Sequence, residues 1–162
     1  MKQNKKVTFI TQASMIAALY VVLTLFAAAL GLDRYAIQVR FSEALTILPF
    51  FMPAAVPGLF IGCLLSNLLT GCVIWDVIFG SVATLLGALG TRLVHKHSKW
   101  LAPIPPILSN VLIVPFILSY AYHFEGSLPY FMLTVGLGEI ISCGLLGMAL
   151  LFTLEKYKGK IF

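Results

Sequence analysis

The sequence predicts an all-α integral membrane protein, a compact bundle of six transmembrane helices with both termini cytoplasmic. Three observations carry that expectation. Of the 162 residues 60% are hydrophobic and 10% charged, which excludes an ordinary soluble domain. Several apolar stretches approach the roughly 20 residues that a spanning helix needs. The charges gather beside those stretches: nine of the eleven Lys and Arg lie in the N-terminal segment, the 92–99 loop and the C-terminal tail. The other two, Arg34 and Arg40, fall on the opposite side. Cytoplasmic segments are enriched in Lys and Arg, so both ends are expected inside and the stretch 38–43 outside. The net charge of +5 then reports orientation and gives no reason to expect nucleic acid as a partner. A chain of this length has room for one membrane-embedded domain over residues 1–162 and no separate soluble one.

The first helix is expected over residues 7–32. It is rich in Ala and Leu, with Ala13 and Ala17 four apart on one face. The basic start at residues 1–6 precedes an apolar run too long for a signal peptide, and no small-residue cleavage site follows, so this helix is expected to be retained. A polar stretch, 33–43, leads into a short helix from Ser42. The apolar run 44–75 is too long for one comfortable span. Pro49, Pro53 and Pro57 with Gly58 interrupt it, and proline removes a helix donor and clashes with the preceding turn. It divides into a short second helix to about residue 52 and a third over 58–70. After a turn at 71–75, Asp76 is placed to cap a fourth helix reaching residue 91. A polar loop, 92–99, carries His95 and His97 as solvated side chains. The fifth helix runs from about 103 to 122 with a kink expected at Pro115, and the sixth from about 129 to 154.

Polar side chains set among apolar blocks are costly to desolvate, so each needs a partner. Gln38, Arg40, Ser42 and Glu43 crowd together between the charge-free blocks 13–32 and 44–75. Glu139 is the one carboxylate well inside an apolar helix, and Gly136, Gly138, Gly144 and Gly147 around it let other backbones come close. Each has a plain structural role open to it. Glu139 could pair with Arg40, and Glu43 could simply be favoured by a helix dipole. Asp76 could be only a cap, and Asn67 and Asn110 only hydrogen-bond links between helices. Trp75, Tyr35, Tyr120 and Tyr122 suit an outer interfacial belt. Cys63, Cys72 and Cys143 have no metal-type spacing, and Cys63 and Cys143 read as buried small hydrophobes, so no metal is expected.

Convergence on the outer half points instead to a small polar ligand taken from outside. The residues expected to hold it are Gln38, Arg40, Glu43, Asn67, Trp75, Asp76, Asn110 and Glu139. No Gly-x-x-x-x-Gly-Lys-Ser/Thr loop, His-Glu-x-x-His or Gly-x-Ser-x-Gly turn occurs, so neither ATP binding, a cofactor nor catalysis is expected. A binding protein without its own engine must borrow one.

With Ala13-Ser-Met-Ile-Ala17 on helix one, the chain resembles the substrate-binding S-components of energy-coupling factor transporters. The blocks Ile37-Gln-Val-Arg-Phe-Ser-Glu-Ala-Leu45, Leu48-Pro-Phe-Phe51, Pro57-Gly-Leu-Phe-Ile-Gly-Cys63, Trp75-Asp-Val-Ile-Phe-Gly-Ser81 and Val135-Gly-Leu-Gly-Glu139 narrow this to the queuosine-precursor transporter group. The loop 94–102 matches nothing in that pattern. The resemblance implies capture of a 7-deazaguanine, such as 7-aminomethyl-7-deazaguanine or queuine, at the outer face of the cell membrane. It implies as partners a transmembrane coupling subunit, docked on the Ala13–Ala17 face, and two cytoplasmic ATPase subunits. A guanine-like edge offers two adjacent N–H donors and a carbonyl, which suit a carboxylate and a Gln or Arg. An S-component for another vitamin-like nutrient is the nearest rival reading. A stand-alone secondary transporter is the next, and a small membrane enzyme the third.

Overall fold

The computed structural model describes residues 4–32 and 39–161, with side chains as far as Tyr157, and the described residues are all helix and turn. Helix α1 spans Lys5–Ala29, and Asn4 caps its start by accepting from the Lys6 backbone N–H at 3.2 Å. Then follow a 3-10 helix, Phe41–Phe50, and α2, Ala55–Leu69. Helix α3 covers Ile74–Val94; a 3-10 turn at Lys99–Leu101 leads to α4, Ile104–Tyr120. The last rod is unbroken but changes pitch: α5, Leu128–Glu139, continues through a π segment, Ile140–Leu146, into α6, Gly147–Ile161. Among the described residues four stretches are long and apolar enough to cross a membrane: Lys5–Ala29, Ile74–Val94, Lys99–Tyr120 and Leu128–Tyr157. The 3-10 helix and α2 are shorter apolar rods between them.

Most sequence boundaries hold to within a few residues. Pro49, however, lies inside the 3-10 helix, Pro57 and Gly58 lie inside α2, and the last helix runs to Ile161 instead of ending near residue 154. Pro53 falls in the break before α2, and glycines end α1 and α2. At those two ends the chain enters the left-handed region, at Gly31 (φ 72°) and Gly71 (φ 73°), which a residue without Cβ adopts freely. The expected cap at Asp76 needs correction: the α3 helix begins at Ile74 with Val73 as its cap residue, so Asp76 lies inside the first turn and caps nothing. Helix α4 is continuous through Pro115, which is buried.

The short 3-10 helix is the centre of the molecule. It packs against α1, α2, α3, the π segment and α6, while α1–α2, α2–α3, α3–α4 and α4–α5 contacts wrap around it. Ser42, Thr46 and Ile47 are fully buried. The outside is the reverse of a soluble protein, with Ile10, Met15, Val22, Leu69, Leu93 and Leu133 all more than half exposed. Helices α1 and α2 run parallel and touch almost backbone to backbone: a Cβ at Gly58 would meet the Ala13 carbonyl at 2.7 Å, and one at Gly62 the Ala17 carbonyl at 3.0 Å. The rods sort the charges. One end of the bundle carries Lys5, Lys6, Arg92, Lys99 and Lys156, held partly by an Arg92 hydrogen bond to the Pro49 carbonyl and a Lys99–Glu155 ion pair of 2.8 Å. The other end holds Arg40, Cys72, Asp76 and Tyr122.

Candidate functional site

The site forms where the 3-10 helix brings polar side chains to the bundle axis. Glu43 sits in its first turn, buried, and one of its oxygens, Oε1, accepts from the Tyr20 hydroxyl of α1. Its other oxygen, Oε2, is buried with no hydrogen-bond partner among the described residues. Glu139, at the end of α5, is also buried and accepts from the Cys143 thiol at 3.0 Å. Cys143 in turn lies 3.3 Å from the Thr46 hydroxyl. Ligating atoms of Glu43, Glu139 and Cys143 lie within 4.8 Å of one another. The Asn110 side chain of α4 stands beside both carboxylates. The π segment contributes to this arrangement: its wide turns follow Glu139 directly, and its Ser142 accepts from the Arg40 backbone N–H at 3.2 Å. Wide turns of this kind recur at functional sites.

Next to this cluster, at the Lys-poor end, opens a cavity of about 240 Å³. Thr24, Arg40, Asn67, Cys72, Asp76 and Tyr122 give it its polar lining. Thr24 donates at 2.8 Å to Ser42, the residue beside Glu43, which links the cavity wall to the 3-10 helix that carries the cluster. Asp76 accepts from the Tyr122 hydroxyl at 2.9 Å, and its backbone carbonyl accepts from the Asn67 amide at 3.3 Å. Gly80 makes room for both side chains, since a Cβ there would lie 2.8 Å from Asp76 Oδ1 and 3.2 Å from Asn67 Nδ2. Burial, then the nearby Asp76 carboxylate, pushes the Tyr122 phenol above its usual range, so it stays a donor. The size lies a little under the roughly 300–1,000 Å³ typical of drug-sized ligands, and so suits a smaller one.

The sequence-predicted residues divide between these two places. Arg40, Asn67 and Asp76 line the cavity; Glu43, Asn110 and Glu139 form the cluster beside it. Arg40 is within electrostatic range of Asp76, Glu43 and Glu139. The Arg40–Glu139 ion pair, the alternative structural role open to Glu139, is not formed, Lys99–Glu155 being the ion pair within 4.0 Å among the described residues. Trp75 is brought to neither place. It is 56% exposed, stacks on Phe79 at 6.0 Å between ring centroids, and lines an apolar groove with Leu112, Phe116 and Tyr120 on the outside of α3 and α4. Gln38, with Arg34 and Tyr35, lies outside the described residues. Ala17 is buried against α2 and Ala13 half-buried, and both floor an apolar groove between α1 and α2 that includes Ile10, Pro57 and Ile61.

Tyr20, Thr24 and Thr46 went unread in the sequence, where Cys143 reads as a buried small hydrophobe, Tyr122 as an interfacial aromatic, and Cys72 is given no part in the site. A signal for the first two existed. Ala13, Ala17, Tyr20, Thr24 and Ala27 follow one another at spacings of three and four, a single helix face that carries the hydroxyls inward.

Comparison with known proteins adds two findings. A queuosine precursor transporter, QueT, from Lactococcus lactis subsp. cremoris (strain MG1363) is 37% identical over 100 residues, 61% of this chain; the match spans 58% of that protein's length. No solved structure matches the chain. The family described as QueT transporter matches residues 10–156, nearly the whole of the bundle with the cavity and the acidic cluster. The chain belongs to the QueT transporter family.

Proposed function

We propose that this chain, over its whole length, is the substrate-binding S-component of an energy-coupling factor importer. In this reading it captures a 7-deazaguanine precursor of queuosine at the outer face of the cell membrane. Import depends on a membrane coupling subunit and two cytoplasmic ATPases. Six passes of the chain, with both termini on the cytoplasmic side, put the cavity outside; the segregation of Lys and Arg to the other end supports this. The name of the Lactococcus relative supports the substrate class.

The observation that carries the reading is the cavity itself: about 240 Å³, walled by Arg40, Asn67 and Asp76. A guanine-like edge presents two parallel N–H donors and a carbonyl, which a carboxylate and an Arg or Asn satisfy. Calorimetry on purified protein tests it. 7-Aminomethyl-7-deazaguanine is expected to bind, and Glu139→Gln to weaken it by at least about tenfold, or about 1.4 kcal/mol. Vitamins that outcompete the deazaguanine would assign the site to another nutrient.

A further inference from the structure

Among the described residues, the polar end holds more acid than base. Asp76 lines the cavity, Glu43 and Glu139 form the buried cluster linked to its wall through the Thr24–Ser42 hydrogen bond, and Arg40 is the cation within electrostatic range of all three. Among the described residues Arg40 makes no ion pair within 4.0 Å. The other polar groups around the two glutamates, Tyr20, Thr46, Asn110 and Cys143, are donors or amides without a positive charge. Two carboxylates this close in a sealed interior repel each other, and uncompensated buried charge is strongly unfavourable. Within that set Glu43 Oε2, on a side chain only 2% exposed, still lacks a donor.

We propose that the Glu43–Glu139 pair is the receptor for a protonated amine on the ligand, and that the protein therefore selects heterocycles with an ammonium arm over uncharged analogues of the same ring. The inference rests on the functional reading above, that the ligand is a 7-deazaguanine. Arg40, Asn67 and Asp76 hold the ring in the cavity, and the arm turns toward the acids. An ammonium brings three donors, enough for Glu43 Oε2, a Glu139 oxygen and the Asn110 carbonyl. Hydrogen bonds between ions are the stronger kind. A metal ion fits less well. The Cys143 thiol is already donating to Glu139 at 3.0 Å and would have to lose its proton to become a ligand. An ammonium asks for no such change.

The test compares three probes on the purified full-length protein by calorimetry: 7-aminomethyl-7-deazaguanine, 7-cyano-7-deazaguanine and 7-deazaguanine, the last two uncharged. The aminomethyl compound is expected to bind at least tenfold more tightly than the cyano compound, a gap of about 1.4 kcal/mol. In Glu43→Gln and Glu139→Gln that ratio is expected to collapse to within about threefold, about 0.6 kcal/mol. Equal affinities for charged and uncharged probes in the unaltered protein, which needs no variant to fold, overturn the inference and leave the functional reading standing. So does a ratio that survives both substitutions, or a stoichiometric metal found at the cluster by elemental analysis. If none of the three probes binds, the functional reading falls and this inference with it.

Discussion

Asp76 serves the cavity wall in two ways. Its carboxylate accepts from Tyr122 and stands near Arg40, while its backbone carbonyl anchors Asn67. Asp76→Asn keeps the shape and removes the charge, so ligand affinity is expected to fall by about tenfold or more. Tyr122→Phe deletes a single hydrogen bond to a charged group and is expected to cost about 1.5–3 kcal/mol of stability. Unchanged affinity in Asp76→Asn by calorimetry would reduce Asp76 to a helix-start residue. The raised Tyr122 phenol sets the sign of a pH effect. Its bond to Asp76 is complete below the ordinary phenol range and is lost only as pH rises through the higher folded value. At this scale the sequence was readable where charge interrupts apolar runs, as at Arg40, Glu43 and Glu139. Uncharged polar residues such as Thr46 and Cys143 left no comparable mark, because apolar helices carry them routinely as backbone-bonded side chains. Trp75 misled for a related reason: an aromatic next to a turn reads the same whether it faces a ligand or lipid.

Among the elements, α1 and α2 are in close contact. A Cβ at Gly62 would meet Tyr20 Cβ at 2.7 Å, and Tyr20 is the residue that steadies Glu43. Gly62→Ala is therefore expected to destabilise the fold by roughly 1–3 kcal/mol. Gly136→Ala, whose Cβ would find only Val111 at 3.5 Å, an ordinary contact, is expected to be tolerated. Thermal unfolding in detergent separates the two; equal melting temperatures would contradict the close-packing account. Helix existence and boundaries were legible from proline, glycine and charge. The pitch of the central 3-10 helix and of the π segment was not. Lipid-facing helices are apolar on all sides, so the usual one-sided periodicity that reports pitch and facing is missing.

For the molecule as a whole, sidedness and partnership are the open properties, and each has a direct measurement. Cys72 lines the cavity half-buried, whereas Cys63 and Cys143 are buried. A membrane-impermeant maleimide added to intact cells is expected to label Cys72, and bound deazaguanine to protect it. Labelling only after the membrane is opened would invert the orientation. Ala13→Leu should fill the groove between α1 and α2 while leaving ligand affinity within about threefold. Uptake is expected to be lost, since a docked subunit would need that groove; normal uptake would remove the docking assignment. Replacing Ala17 is a poorer probe, because it is buried against α2 and its loss is confounded with folding.

The central rod has a further consequence for the lipid around it. Ten residues of 3-10 helix reach about 20 Å. The fifteen of α2 reach about 22 Å, both well short of the roughly 30 Å of bilayer hydrocarbon. Where α2 meets lipid, the acyl chains must dip to cover it, at a cost of fractions of a kcal/mol per ångström. In the proposed six-pass arrangement the protein would thus carry its own dimple in the membrane. Chains of shorter lipids would fit that depression with less distortion than longer ones.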